Sequence, residues 1–173
     1  GRCRLVAVLG RGGLGTVFRA QRIGSLMAVA RELLQPRFAA RDEYRRSLLP
    51  EARRAATVAH QRCARLLDVG EAEDGQTYLA MELVEGRTLD GLWRSGPLAP
   101  AHAVAILLQV AEALVAIHAA ELVHCDLSPR NVMVAADEGR LCVKVLDFGI
   151  ARSMHLVRPG PGELAGFVNP AFS

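Results

Sequence analysis

Three glycines, Gly10, Gly12 and Gly15, form a G-x-G-x-x-G turn, and the residues on either side of it restrict what this chain can fold into. Upstream, residues 4–9 are a β-forming run; downstream, Thr16-Val17-Phe18-Arg19 favours a strand over a helix start. The same spacing leading into a helix would be a dinucleotide-binding fingerprint. Between two strands it is a flap, whose backbone N–H groups can approach a phosphate without interference from Cβ atoms. Taken alone, the pattern fits an ordinary hairpin turn equally well, so its meaning depends on the rest of the chain.

Beyond the turn, the chain alternates in the manner of an α+β protein. A third β-run at 26–31 completes a small antiparallel sheet, and the Glu-, Arg-, Ala- and Leu-rich stretch 42–58 favours a helix. Runs at 66–69 and 77–83 flank the turn Glu73-Asp74-Gly75. From Pro100, the residues Val104, Leu107, Leu108, Ala111, Leu114, Val115 and His118 recur at helical spacing, which predicts a long, mostly buried helix with Trp93 in the same core. Gln109, Glu112 and His118 interrupt the apolar stretch 103–120, so it reads as falling short of a membrane span. Runs at 132–135 and 141–146 form a second hairpin across Asp137-Glu138-Gly139, and the Pro- and Gly-rich tail 152–173 reads as a loop.

Composition narrows the function classes. The net charge of +3 is small and its basic residues are dispersed, which disfavours a nucleic-acid role. Cys3, Cys63, Cys125 and Cys142 are far apart with no C-x-x-C pair, so reduced thiols in a cytoplasmic setting are expected, with neither zinc nor disulfides. The opening residues are not expected to be a signal peptide. Of the 21 basic residues only Lys144 is a lysine.

Two further motifs give the glycine turn its context. His124-Cys125-Asp126-Leu127-Ser128-Pro129-Arg130-Asn131 comes after the long helix, and Asp147-Phe148-Gly149 closes the second hairpin. An Asp and an Asn five residues apart, with another Asp across a hairpin, can supply one base and two oxygen ligands for Mg²⁺.

With these three motifs in this order, the chain resembles the protein kinase family, in particular bacterial Ser/Thr protein kinases, over essentially its whole length. The resemblance implies a two-lobed α+β fold, with a small ATP-binding lobe at 1–85 and a partial large lobe at 86–173. It implies ATP and Mg²⁺ as cofactors. Gly10, Gly12 and Gly15 would cover the phosphates, Met81, Glu82 and Val84 would be the gatekeeper and hinge, and Val17 and Met133 would sandwich the adenine. Asp126 would be the base that accepts the substrate hydroxyl proton, Asn131 and Asp147 the metal ligands, Glu51 the ion-pairing acid of the small-lobe helix, and His124 and Phe148 structural supports.

The third strand departs from the family pattern. Its Val-Ala-Ile-Lys-like run is Ala28-Val29-Ala30-Arg31-Glu32-Leu33-Leu34, and alignment places either Arg31 or Ala30 in the lysine position, with Arg31 favoured. An arginine there keeps the charge and can pair with Glu51, but presents it differently from an ammonium. Cys125 replaces the arginine that receives an activation-loop phosphate, and Ser153 is the one hydroxyl between 147 and 170, so switching by loop phosphorylation is not expected. Ser128 replaces the catalytic-loop lysine, leaving Arg130 as the cation that could serve instead. Asn169-Pro170-Ala171 resembles the Ala-Pro-Glu end of the activation segment without its Glu. By the resemblance, a full domain continues for about another hundred residues. Two functions are implied: transfer of the ATP γ-phosphate to Ser/Thr hydroxyls of proteins, or a pseudokinase that binds nucleotide or a regulated protein partner without transfer. Neither implies a nucleic-acid partner or a membrane segment in this chain.

Overall fold

The computed structural model describes residues 3–12, 14–25, 27–36, 42–72, 74–137 and 140–148. The tail 152–173, Gly149 and the Asn169-Pro170-Ala171 motif lie outside them. The first sheet has five antiparallel strands: β1 (Cys3–Arg11), β2 (Gly15–Arg22), β3 (Ala28–Leu34), β4 (Leu66–Glu71) and β5 (Thr77–Glu82), in the order β1-β2-β3-β5-β4. Helix α1 (Asp42–Ala55) lies between β3 and β4 in the chain. After β5 come β6 (Arg87–Thr88), α2 (Leu89–Trp93), α3 (Pro100–Ala119), a 3₁₀ turn (Pro129–Asn131), β7 (Val132–Asp137) and β8 (Arg140–Val145), with a second sheet in the order β6-β7-β8.

Local chemistry sets these boundaries. Asp74 accepts a hydrogen bond from the Gln76 N–H (3.1 Å), and Gly75 takes φ of 81°, which closes the β4–β5 turn. Thr88 caps α2 by accepting the Gly91 N–H at 3.0 Å. Gly86 has φ of 146°, and a Cβ there would lie 2.6 Å from the Val134 carbonyl oxygen, so only glycine lets the chain enter β6 alongside β7. The short β6 and α2 carry too few residues for periodicity to announce them, and neither is expected from the sequence.

One continuous core joins the two sheets. Leu34, Leu79 and Met81 of the first sheet meet Leu48 and Ala52 of α1, Ile106 and Ile117 of α3, Val143 and Val145 of β8, and Phe148. Two backbone bonds add to this seam, Val145 N–H to Arg62 O (2.7 Å) and Ala64 N–H to Val145 O (2.9 Å).

Two packing expectations need correction. Helix α3 buries Ile106, Val110, Ala113 and Ile117, whereas Val104, Leu107, Leu108 and Val115 are 57–70% exposed, because the described residues cover only one of its faces. Trp93 is also exposed. By length and composition, with a mean hydropathy of 1.8, α3 is in fact long and apolar enough to cross a membrane. Its polar interruption is a fastening: Gln109 donates to Leu141 O (3.0 Å) and accepts from Val143 N–H (3.1 Å), clamping the helix to β8 as a core element.

Candidate functional site

The upper wall of the cleft is the inward side of the first sheet, and strand register identifies it. Glu32 pairs with Val17 on one side and Leu79 on the other, and Ala30 pairs with Met81. Residues directly opposite in a ladder share a face, and alternate residues along a strand point to opposite faces. Leu34, Leu79 and Met81 belong to the core that includes α1, so Val17, Ala30 and Glu32 face inward with them.

Arg31 therefore faces outward, and the expectation that it fills the lysine position is corrected. It pairs with Phe18 and Ala80, and its guanidinium carbon stacks 3.8 Å from the Tyr78 ring centroid. Tyr78 in turn donates its hydroxyl to Asp68 at 2.8 Å. The side chain is 7% exposed, with no hydrogen-bond partner for its Nε. Arg31 is a strut of the outer face. The inward residue nearest the expected cation is Glu32, an acid that sits 6% exposed, and Ala30 is inward but uncharged. The signal for this is in the sequence: Val29-Ala30-Arg31-Glu32 lies on Val-Ala-Ile-Lys without a shift, with Glu32 in the lysine place.

The glycine turn joins β1 to β2 as a strand–loop–strand. Its glycines divide by cause. A Cβ on Gly15 would fall 2.1 Å from the Leu33 carbonyl oxygen, so Gly15 is required for β2 to approach β3. A Cβ on Gly10 or Gly12 would meet nothing within 4 Å, so packing does not explain them. Open space above the cleft is what a phosphate-covering flap needs.

The floor comes from the turn between α3 and β7 and from the end of β8. The Asn131 amide Nδ2 donates to Asp126 twice, to its backbone O (2.8 Å) and its carboxylate Oδ2 (3.2 Å). Leu146 N–H donates to Asn131 O at 2.8 Å, which ties the turn to the strand leading to Asp147. Cys125 (φ 62°) and Asp147 (φ 56°) both hold left-handed backbone, a costly conformation for such residues that the surrounding bonds sustain. His124 and Phe148 are each 3% exposed; the His124 Nδ1 accepts the Asp126 N–H at 3.4 Å, and burial lowers its pKa.

Acids face one another across the cleft. Burial, with the charge of Asp126 adding to it, pushes the Asp147 carboxyl up to about 6. Burial, with Asp147 adding, pushes Glu32 up to about 8. Described cations nearby are occupied or exposed: Arg19, inward on β2 toward the hinge, pairs with Glu85 (3.4 Å), and Lys144 binds Glu82 (2.7 Å). Arg130 is exposed on the floor. Met81 lies buried near the end of β5, Glu82 and Val84 come after it half-buried, Met133 lies on β7 opposite Lys144, and Glu51 sits half-buried on α1.

The donor set suits Mg²⁺. With its amide nitrogen spent on Asp126, Asn131 retains its oxygen, and the charges that act on the half-buried Asp147 carboxyl are those of other acids. Among the described residues no group of three or more His, Cys, Asp or Glu is placed to hold a metal, so these two would share the ion with oxygens of a bound phosphate or water.

A five-stranded antiparallel sheet with one helix, joined to a helical part by a cleft with a glycine flap above and an Asp–Asn turn below, defines the two-lobed kinase-like class. The chain belongs to the protein kinase family: the protein kinase domain model matches residues 3–161. It is 40% identical over 152 residues to the Ser/Thr protein kinase PknH of Mycobacterium bovis, covering 87% of this chain and 25% of that protein. It is 38% identical to the Ser/Thr protein kinase pkn3 of Myxococcus xanthus, covering 95% of this chain and 31% of that one. The crystal structure of the Mycobacterium tuberculosis PknI kinase domain superposes with a TM-score of 0.73 at 33% identity, covering 86% of this chain and 60% of that one. The chain thus spans about a quarter to a third of the curated relatives.

Proposed function

We propose that this chain is the nucleotide cleft of a Ser/Thr-type protein kinase domain, with a small lobe at 1–85 and part of a large lobe from 86 on, working in the cytoplasm. Adenine is held at Met81, Glu82 and Val84 between Val17 and Met133, the phosphates lie under Gly10, Gly12 and Gly15, and Mg²⁺ is held by Asn131 and Asp147. Asp126 orients a protein Ser or Thr hydroxyl and accepts its proton as the γ-phosphate transfers, with Arg130 at the mouth of the floor. The observation that carries this reading is the Asp126–Asn131 hydrogen-bonded pair beside Asp147. Mg²⁺, when bound, would offset the negative charge of the phosphates.

A second reading, the pseudokinase, is favoured by Glu32. Where the resemblance pairs Glu51 with a lysine that also holds the phosphates, the inward β3 residue is an acid. Nucleotide binding then serves a protein partner rather than transfer. Transfer of labelled γ-phosphate to a Ser/Thr-containing protein separates the two. Activity that Asp126→Asn abolishes supports the kinase; a protein that binds Mg-ATP yet transfers nothing, with or without Asp126, supports the pseudokinase.

A further inference from the structure

Glu32 has a consequence for what the cleft admits, and it rests on the nucleotide reading above. The inward stretch of β3 is Ala30, Glu32 and Leu34, with Val17 beside Glu32 on β2 and Leu79 beside it on β5. This is the wall above Asp147, and Asp147 itself lies in the field of Asp126. The described cations that might offset three acids are directed elsewhere. Arg31 is stacked on Tyr78 across the sheet, Lys144 is bound to Glu82, and Arg19 is bound to Glu85. Arg11 on the flap and Arg130 on the floor are exposed, where water and salt screen them. Whether or not Glu32 carries its proton, it brings no positive charge to the place where phosphates would lie. An adenine nucleotide without a metal presents several negative charges to a wall that offers no cation and to Asp126 and Asp147 below it, and like charges brought together in a partly buried site are strongly disfavoured. An adenine nucleoside presents none.

We infer that Glu32 makes the cleft select by charge: it accepts an uncharged adenine nucleoside, accepts an adenine nucleotide when a divalent cation accompanies the phosphates, and discriminates against the metal-free nucleotide. The acid acts as a specificity residue at the point where its relatives' family pattern places a phosphate-holding amine.

Calorimetric or fluorescence titration of the 173-residue chain with adenosine, ATP plus Mg²⁺, and ATP plus EDTA tests this directly. The expected result is binding of the first two, with metal-free ATP weaker than adenosine by about tenfold or more. Glu32→Gln, close in shape and likewise without positive charge, should leave the gap in place, and Glu32→Lys should reverse the order; thermal unfolding establishes that each variant is folded. Arg31→Met, on the outer face, should leave the ranking as it was. Metal-free ATP binding within about threefold of adenosine overturns the inference while leaving the nucleotide reading intact. So does a gap that Glu32→Lys leaves unchanged. A folded protein silent to all three ligands overturns the nucleotide reading and this inference with it.

Discussion

The two walls of the cleft have diverged to different degrees. The floor keeps a hydrogen-bonded Asp126–Asn131 pair, tied by the Leu146 N–H to the strand that leads to Asp147, with left-handed backbone held at Cys125 and Asp147. The upper wall keeps its architecture, with strand register, glycine flap and Val17 in place, but carries an acid at Glu32 and turns its buried arginine outward. Backbone geometry and charge are therefore separable. A sheet can retain every ladder bond while one inward side chain takes the positive charge away from the site it roofs, because the ladder depends on main-chain groups and the field on side chains.

Titration gives the largest expected effect and sharpens the contrast. Glu32 and Asp147 both hold protons in the folded protein above the pH at which the unfolded chain releases them, so the native state binds more protons in that window. The stability these two acids contribute is then full below pH about 4 and is lost as pH rises toward about 8, by up to a few kcal/mol. Denaturant melts across this range should show the fall, and Glu32→Gln should confine what remains to the interval between about 3.8 and 6 that belongs to Asp147. A flat profile in the unsubstituted protein would mean that the two acids do not share a low-dielectric wall.

Gly15→Ala should cost about 3 kcal/mol, since its Cβ would drive into the Leu33 carbonyl, while Gly10→Ala should change stability by less than about 1 kcal/mol. Chemical denaturation of both separates the structural glycine from the open one; equal costs would remove the reason for reading Gly10 as space kept for a ligand.

Mg-ATP at 100 times its dissociation constant should stabilise the fold by about 2.7 kcal/mol. Asp147→Asn should remove the Mg²⁺-dependent part of that shift in a thermal titration. If the shift survives that substitution intact, the floor is not the metal-binding wall.

The smallest effect belongs to the outer face. Arg31→Met should cost about 1 kcal/mol through loss of the stacking on Tyr78, with ligand affinities unchanged. A change in affinity larger than the change in stability would return Arg31 to the cleft.

How far the sequence reveals this structure depends on what each residue answers to. The strands, the long helix and the floor motif are legible because they are local: β-formers flank glycines, Pro100 opens α3, and Asp126 and Asn131 are fixed by spacing within one turn. The wall charge is easily misread, because chemical type directs attention to a cation and so to Arg31. The strand's own parity, with Val29 and Ala30 as its anchors, leads to Glu32. The exposed side of α3 is equally illegible, since periodicity marks an apolar face and does not say whether anything covers it. The roles of Glu51, the hinge and Met133 are read from resemblance, because they depend on contacts with a ligand rather than on any local pattern.

The pair between Lys144 and Glu82 has a chemical corollary. Its ammonium is the sole side-chain amine in the chain, and it is half-buried at 2.7 Å from a carboxylate at the end of β5. An acylating reagent carried into the cleft on an adenine nucleotide would find no amine on β3 to modify. A small amine-directed reagent from solution would react at Lys144 when that pair opens. Acylation at this one side chain then becomes a clock for the opening of the contact between β5 and β8, readable as a mass increment on the peptide that carries Lys144.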